Sequence, residues 1–152
     1  MVLDVTTVSA RYLRESSLVE SRTLPVQVDE TAERVRSILV LDDDLAVRNA
    51  LVETMRRAGY AVASAADGEE GWNALRRAEH DLVITDHDMP RLTGLDLVRR
   101  MRACRMDLPV ILVSGRMPWE EPDLARVLIP GTAMEKPFRL ADLLSTVRAL
   151  LY

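Results

Sequence analysis

The feature of this sequence that most constrains its fold is the alternation of short apolar runs with longer amphipathic stretches. The runs ILVL (38–41), LVIT (82–85) and VILVSG (110–115) are almost entirely apolar, and a segment with apolar residues at helical spacing follows the first two. Continuous apolar strands of this length are typical of a parallel sheet that is covered by helices on both faces. The pattern therefore predicts an α/β fold.

Five strand–helix units fit between Ser37 and the last residue. The strands are predicted at 38–41, 61–65, 82–85, 110–115 and 132–135, and the helices at 45–59, 68–78, 95–104, 121–128 and 139–151. The fourth helix is short because prolines punctuate the segment 116–130. Since parallel crossovers are right-handed, we predict a flavodoxin-like doubly wound sheet with strand order 2-1-3-4-5. Its site would lie at the carboxyl ends of the first and third strands.

The first 36 residues lack this pattern. We expect residues 1–36 to be a flexible extension, with a short helix around Ser9–Glu20, and residues 37–152 to form one domain.

The net charge of -4 and the interleaved arginines argue against direct nucleic-acid binding. No apolar run reaches the length of a membrane span and no secretory signal is present, so a cytoplasmic location is expected. The single Cys104 excludes an internal disulfide, and its helical context predicts a buried or half-buried side chain.

Polar residues follow four of the five predicted strands. Because parallel strands end at the same edge of a sheet, these residues should meet there. Taken singly, each is ordinary: Asp44 is expected to cap a helix, and His87 to face solvent in a loop. The groups in question are Asp42-Asp43-Asp44, Asp86-His87-Asp88, Ser114-Gly115 and Lys136-Pro137.

Together these groups suit one kind of chemistry. Clustered carboxylates raise one another's pKa unless a cation lies among them, and oxygen ligands with room for water suit Mg²⁺. A further carboxylate beside Mg²⁺ can attack phosphorus and form an aspartyl phosphate. The three phosphoryl oxygens could then be held by Mg²⁺, by a serine hydroxyl and by a lysine ammonium. Lys136 is the single lysine among 20 basic residues, which suggests that one site requires a compact ammonium.

Four motifs carry a resemblance to a known family. The stretches LVLDDD (39–44), ITDHDMPRLTG (84–94), LVSG (112–115) and MEKPF (134–138), in this order and spacing, resemble the receiver domain of two-component response regulators. The resemblance covers about Ser37 to Leu151. It implies a signalling protein that catalyses its own phosphorylation, and not an enzyme with a separate substrate. The phosphoryl donor would be a histidine kinase or a histidine phosphotransfer protein.

The resemblance also implies a role for each site residue. Asp86 would be the phosphoacceptor, and Lys136 would pair with Asp86 or with the phosphoryl group. Ser114 would bind a phosphoryl oxygen. A cis peptide bond is implied before Pro137. Mg²⁺ would be held by Asp43, Asp86 and the backbone carbonyl of Asp88, with Asp42 acting through water.

The chain departs from the family at two places that concern its output. Receivers often carry Tyr or Phe three residues before the lysine, where this chain has Ala133. The segment 116–130 falls on the usual output face, and its Trp119 is a candidate exposed anchor. We expect a stand-alone receiver with an unidentified downstream partner, and leave a homodimer open. We also hypothesise that Asp88 and Arg116 form an ion pair that hinders dephosphorylation.

Three other classes of protein deserve comparison. A haloacid-dehalogenase-type phosphatase would share Asp42, Asp44, Ser114 and a lysine, but it needs further acids after the lysine, where only Asp142 follows. A flavodoxin-like FMN binder would need a phosphate loop rich in Gly, Ser or Thr after the first strand. A receiver-like interaction module without phosphorylation-dependent switching remains the serious alternative, because Ala133 weakens the expected coupling.

Overall fold

The computed structural model describes residues 34–152. The predicted extension, with the proposed Ser9–Glu20 helix, lies outside the described residues as far as position 33. Within residues 34–152, no helix combines the length and apolarity that a membrane crossing requires.

The structure contains a five-stranded parallel sheet with the order β2-β1-β3-β4-β5, which confirms the predicted fold class. The apolar runs predicted as central strands are buried along their length, whereas the two edge strands are only partly buried. All neighbouring strands pair in parallel, so their carboxyl ends lie at one edge of the sheet. The strands are β1 (Ser37–Leu41), β2 (Ala61–Ala65), β3 (Leu82–Asp86), β4 (Val110–Ser114) and β5 (Gly131–Glu135).

Five helices cover both faces of the sheet. Alternate residues of each central strand enter two separate cores: Leu39 packs with α2, α3 and α4, whereas Ile38 packs with α1 and α5. Each fully buried aliphatic side chain contributes about 1.5–3 kcal/mol to folding, so the two cores together hold the sheet between the helices. The helices are α1 (Leu45–Arg57), α2 (Gly68–Arg77), α3 (Gly94–Ala103), α4 (Leu124–Leu128) and α5 (Leu140–Leu151).

Side-chain caps fix where the first three helices begin. Asp44 accepts hydrogen bonds from the backbone N–H groups of Ala46 and Val47, as predicted, and Asp67 and Thr93 cap α2 and α3 in the same way. Asp44 therefore ends the loop after β1 within three residues of the strand. This short connection holds Asp42 and Asp43 at the sheet edge.

Helix α4 is shorter than predicted, because it begins at Leu124 and not at Glu121. Asp123 stands at its N-cap position without a side-chain cap hydrogen bond. Both carboxylate oxygens of Asp123 instead accept hydrogen bonds from Arg99 of α3, at 2.6 and 2.9 Å, and Arg99 also binds Glu121 at 2.6 Å. The residues predicted to form the first turn are thus held by ion pairs to a neighbouring helix.

The prediction of a buried or half-buried Cys104 is wrong, because this side chain is exposed. The buried stripe of α3 includes Leu97, Val98 and Met101, and one further helical turn would have placed residue 104 on it. The helix ends at Ala103, and the chain turns away through Arg105, which has a φ of 57°.

Candidate functional site

The polar residues predicted at the strand ends meet at one edge of the sheet. Asp42 directly follows β1, Asp86 is the last residue of β3, and Ser114 is the last residue of β4. Asp86 is in register with Val113, and Ser114 with Glu135, so Lys136 follows one residue beyond the end of β5. The structure therefore brings together all four strand ends that the sequence marked.

Three carboxylates form a cluster at this edge. One oxygen from each of Asp42, Asp43 and Asp86 can be chosen so that all lie within 4.8 Å of one another. Asp42 and Asp86 are buried, whereas Asp43 is exposed, so one side of the cluster is open to water. Oxygen ligands and an open side with room for water match the preference of Mg²⁺. The residues present therefore fit a magnesium ion.

Neither histidine of the chain shares a site with the other. His80 precedes β3 at the opposite end of the sheet, where its Nδ1 lies 3.0 Å from the hydroxyl of Ser37. His87 follows Asp86 but is half-buried, so the prediction that it faces solvent is wrong. Its Nδ1 atom is buried without a hydrogen-bond partner among the described residues. The two histidines therefore lie at opposite ends of β3.

Lys136 lies between two members of the carboxylate cluster. Its Nζ atom is 3.3 Å from Oδ1 of Asp86 and 3.4 Å from Oδ2 of Asp42. The backbone N–H of Lys136 donates to the carbonyl of Ser114 at 2.9 Å, which ties the loop after β5 to β4. The bond between Lys136 and Pro137 is cis, as the resemblance implied.

The cluster carries more negative than positive charge. Burial raises the pKa of Asp86, and the nearby Asp42 and Asp88 carboxylates raise it further, although Lys136 acts in the opposite direction. Burial alone would lower the pKa of Lys136, but the attraction of Asp86 and Asp42 outweighs it and raises that pKa. One ammonium therefore does not neutralise the three clustered carboxylates, and a further cation would stabilise them.

The hydroxyl of Ser114 is already engaged. It is buried, accepts a hydrogen bond from the backbone N–H of Arg116 at 3.0 Å, and lies 2.7 Å from the Arg116 carbonyl and 3.1 Å from Oδ2 of Asp88. Because a hydroxyl has one hydrogen, Ser114 donates to only one of these two acceptors at a time. The hypothesis of an ion pair between Asp88 and Arg116 is wrong: the Asp88 carboxylate faces Ser114, and Arg116 contributes only its backbone.

Two contacts at the site escaped the sequence analysis. The backbone N–H of Asp44 donates to Oδ1 of Asp42 at 2.9 Å, and Arg48 donates to the carbonyl of Asp42 at 2.6 Å. Arg48 lies on the first turn of α1, six residues after Asp42, and this spacing in the sequence could have indicated the contact between them. The first bond orients the most buried carboxylate of the cluster, and the second holds the backbone of the same residue.

The fold and the site together define a class of protein. A 2-1-3-4-5 parallel sheet with three carboxylates, a hydroxyl and an ammonium at its carboxyl edge is the architecture of a receiver. Residues 38–148 match the family described as response regulator receiver domain, and the chain belongs to this family. Receivers of this family act in two-component signalling, and phosphorylation and magnesium binding are general features of it.

Individual relatives agree with this assignment. The chain is similar to the response regulator MprA of Mycolicibacterium vanbaalenii, with 38% identity over 114 residues, which are 75% of this chain and 49% of MprA. The chain thus spans about half the length of that relative.

Solved structures show the same likeness. The fold is similar to the chemotaxis protein CheY4 of Vibrio cholerae, with 28% identity, a TM-score of 0.71, and coverage of 78% of this chain and 100% of CheY4. It is also similar to the response regulator TrrA of Thermotoga maritima in complex with Mg²⁺-BeF, with 28% identity and a TM-score of 0.70 over 77% of this chain and 100% of TrrA.

Proposed function

We propose that this receiver accepts a phosphoryl group on the carboxylate of Asp86 from a phosphohistidine of a histidine kinase or a phosphotransfer protein. The observation that carries the proposal is the position of Asp86. It is buried at the end of a central strand, belongs to the carboxylate cluster, and contacts the single lysine at 3.3 Å. Asp42 shares both contacts, but its Oδ1 already accepts a hydrogen bond from the backbone N–H of Asp44, whereas within residues 34–152 the Asp86 carboxylate accepts only from Lys136.

Few side chains take part in the proposed transfer. A carboxylate oxygen of Asp86 attacks the phosphorus, a P–O bond forms, and the P–N bond to the donor imidazole breaks with its electron pair leaving on nitrogen. Lys136, held beside Asp86, balances the charge of the transferred oxygens, and Ser114 exchanges one of its present acceptors for a phosphoryl oxygen. Each group acts from a strand end, so the sheet fixes their spacing.

Magnesium completes this proposal. Asp42, Asp43, Asp86 and the carbonyl of Asp88 would hold the ion. When bound, it supplies positive charge to the phosphoryl oxygens and to the carboxylates. The acidic cluster and its excess negative charge support this proposal, as does the Mg²⁺-BeF complex of the similar Thermotoga maritima regulator.

The test is phosphorylation by a small donor. With Mg²⁺ and acetyl phosphate, the protein should gain one hydroxylamine-labile phosphoryl group, detected by intact mass, and Asp86→Asn should abolish it. Asp44→Asn is the matched control, because Asp44 is an adjacent carboxylate and Asn caps helices equally well. Labelling that persists in Asp86→Asn would refute the assignment of the acceptor.

A second candidate function is favoured by Ala133. A small residue replaces the aromatic side chain that receivers often carry there, and α4 has only five residues. Both features favour an interaction module whose partner binding does not depend on phosphorylation. The same labelling experiment separates the two functions: a wild-type protein that takes no label would leave this second function in place.

The extent of the receiver and its setting are also proposals. We propose that residues 37–152 form the receiver, that the preceding residues are an extension, and that the chain works in the cytoplasm with a kinase and a downstream protein. Residues Arg34–Tyr152 form one compact unit, which supports the boundary. Limited proteolysis of the full chain should leave a stable fragment that begins near residue 34, and cleavage within the sheet would contradict the boundary.

A further inference from the structure

The β3–α3 loop, residues 87–93, carries Asp88, whose backbone carbonyl is a proposed magnesium ligand. At the base of this loop, the backbone N–H groups of Met89 and Gly94 both donate to the carbonyl of His87 at 3.0 Å. Neither of these hydrogen bonds reaches the far end of the loop. The position of Asp88 therefore also depends on what holds the far end in place.

Arg91, at the far end of the β3–α3 loop, adopts an unfavourable backbone conformation. Its φ is 69°, and the backbone N–H of Leu92 donates across it to the carbonyl of Pro90 at 2.8 Å. These are features of a γ-turn of the rare, strained kind, with a positive φ at its centre. Glycine accepts such a φ without steric cost, whereas a residue with a Cβ atom is strained there. An arginine at this position is therefore best explained by a contact of its side chain.

The Arg91 side chain makes that contact with Asp67, at the start of α2. One guanidinium nitrogen donates to Oδ2 of Asp67 at 2.6 Å, while Oδ1 accepts from the backbone N–H of Glu70 at 2.9 Å. Asp67 is only 2% exposed, and Arg91 is its one cationic partner among residues 34–152. Loss of the cation from such a pair is costly, because the buried charge is left without compensation.

The backbone of the loop packs against α2 beside this ion pair. A Cβ atom added to Gly68 would lie 2.4 Å from the carbonyl oxygen of Leu92, so the two backbones are in direct contact. Met89 holds the middle of the loop, because its side chain is buried in the core beneath α2 and α3. The Arg91 side chain is 69% exposed, so its contact can be removed without disturbing this core.

We infer that Arg91 is a positioning residue for the proposed phosphoryl transfer, because its ion pair with Asp67 ties the β3–α3 loop to α2 and thereby holds Asp88 at the site. Within residues 34–152, the Arg91 side chain bonds only to Asp67 and to no member of the carboxylate cluster. With the pair intact, the Asp88 carbonyl is preorganised as a ligand for the magnesium ion that Asp43 and Asp86 would share. Breaking the pair should loosen this ligand and weaken magnesium binding.

A ¹⁵N NMR titration of the full chain with MgCl₂ measures the Kd for magnesium. Arg91→Gln should raise this Kd about tenfold, the lower limit typical of residues that orient a metal ligand. Arg91→Lys should restore most of the affinity, because an ammonium can also pair with Asp67. Asp67→Asn keeps the helix cap but removes the ion pair, so adding Arg91→Gln to it should change the Kd no further.

Stability and magnesium affinity should separate in a further variant. Arg91→Gly loses the same ion pair but accepts the positive φ without strain, so it should unfold at a higher urea concentration than Arg91→Gln. Its Kd for magnesium should nevertheless be raised at least as much as that of Arg91→Gln. A Kd that instead follows the urea midpoint would show that Arg91 acts on stability alone and would overturn the inference.

Arg100→Gln is the matched control. Arg100 also joins α3 to α2, through an ion pair with Glu69, but it lies outside the β3–α3 loop. This variant should bind magnesium like the wild type. Equal Kd values for the wild type and Arg91→Gln would refute the positioning role, as would a rise of the same size in Arg100→Gln.

The inference rests on the proposed function, and labelling by acetyl phosphate distinguishes the failure of one from the failure of the other. Arg91→Gln should be labelled slowly at limiting Mg²⁺ and at nearly the wild-type rate at saturating Mg²⁺, whereas Asp86→Asn should take no label at either concentration. Label on Asp86→Asn would refute the acceptor and leave the effect of Arg91 on magnesium binding intact. Slow labelling of Arg91→Gln that saturating Mg²⁺ does not restore would contradict the inference about Arg91 and leave the acceptor intact.

Discussion

Replacing Lys136 by methionine should destabilise the protein in the absence of Mg²⁺ by about 2–3 kcal/mol at pH 7. At 3.3–3.4 Å and an effective dielectric of about 20, the ammonium attracts each carboxylate by about 5 kcal/mol before the cost of desolvation. Removing one partner of a buried pair costs about 3–5 kcal/mol, and an exposed pair about 0–1 kcal/mol. The Lys136 side chain is 30% exposed and its partners at most 7%, so the expected loss lies between these limits.

The pH dependence of this loss follows from the two pKa shifts. The pKa of Lys136 is raised above 10.5, so its contribution is present below that pH and disappears as pH rises through the folded-state value. On the acid side, the pKa of Asp86 is raised above 3.8 by burial and by its acidic neighbours, and its protonation removes the attraction. The difference between wild type and Lys136→Met should therefore be greatest between these two limits and shrink on both sides.

Urea denaturation followed by circular dichroism measures the effect, with EDTA or with saturating Mg²⁺. Mg²⁺ should restore most of the lost stability, because it supplies the missing positive charge to the cluster. Arg139→Met removes an exposed ion pair with Asp142 in the same loop region and should leave stability unchanged. A loss that is equal at acidic and neutral pH and insensitive to Mg²⁺ would show that Lys136 acts through packing and refute the electrostatic argument.

Three further changes test other parts of the structure. Asp86→Asn should raise the Tm by a few degrees at neutral pH, because the raised pKa of Asp86 in the folded state means that the fold disfavours the charged carboxylate. Calorimetry should show that this gain in Tm vanishes as the pH falls towards 3.8. Gly94→Ala should lower the free energy of unfolding, measured by urea denaturation, by about 1–3 kcal/mol or more, because the added Cβ would lie 2.2 Å from the carbonyl oxygen of Asp86. The Cβ added in Gly115→Ala meets nothing within 4 Å, so this control should leave the free energy of unfolding unchanged. Arg99→Gln should speed amide hydrogen exchange in the loop that carries Trp119, and unchanged exchange would contradict the anchoring role of the ion pairs.

The sheet and the position of the site could be predicted because both depend on strong local signals. Continuous apolar runs such as Ile38–Leu41 are typical of strands in a parallel sheet that helices cover on both faces. Once the strands are parallel, Asp42, Asp86 and Lys136 must reach the same edge. The handedness of the crossovers then leaves few strand orders, and the observed 2-1-3-4-5 order is the one predicted.

The details that were wrong depend on long-range side-chain contacts. The proline positions favoured a start of α4 at Glu121, with Pro122 in the first turn, but Arg99 of α3 binds both Glu121 and Asp123, and the helix begins at Leu124. The predicted partner of Asp88 was Arg116, chosen by its spacing beyond the strand, yet the Asp88 carboxylate contacts Ser114 across the sheet edge at 3.1 Å. Such choices among polar partners depend on differences of about 1 kcal/mol, which sequence spacing does not resolve.

The single lysine of the chain can be explained by the geometry of its two partners. Asp42 and Asp86 follow neighbouring strands, and Nζ of Lys136 contacts one oxygen of each at nearly equal distances. A compact ammonium can share its three hydrogens between two separate carboxylates, whereas the planar guanidinium of arginine is best matched by two oxygens of one carboxylate. Arginine at position 136 would therefore favour one aspartate over the other and bring a bulkier head group into the carboxylate cluster. Lys136→Arg should keep the fold but slow labelling by acetyl phosphate, and an unchanged labelling rate would contradict this account.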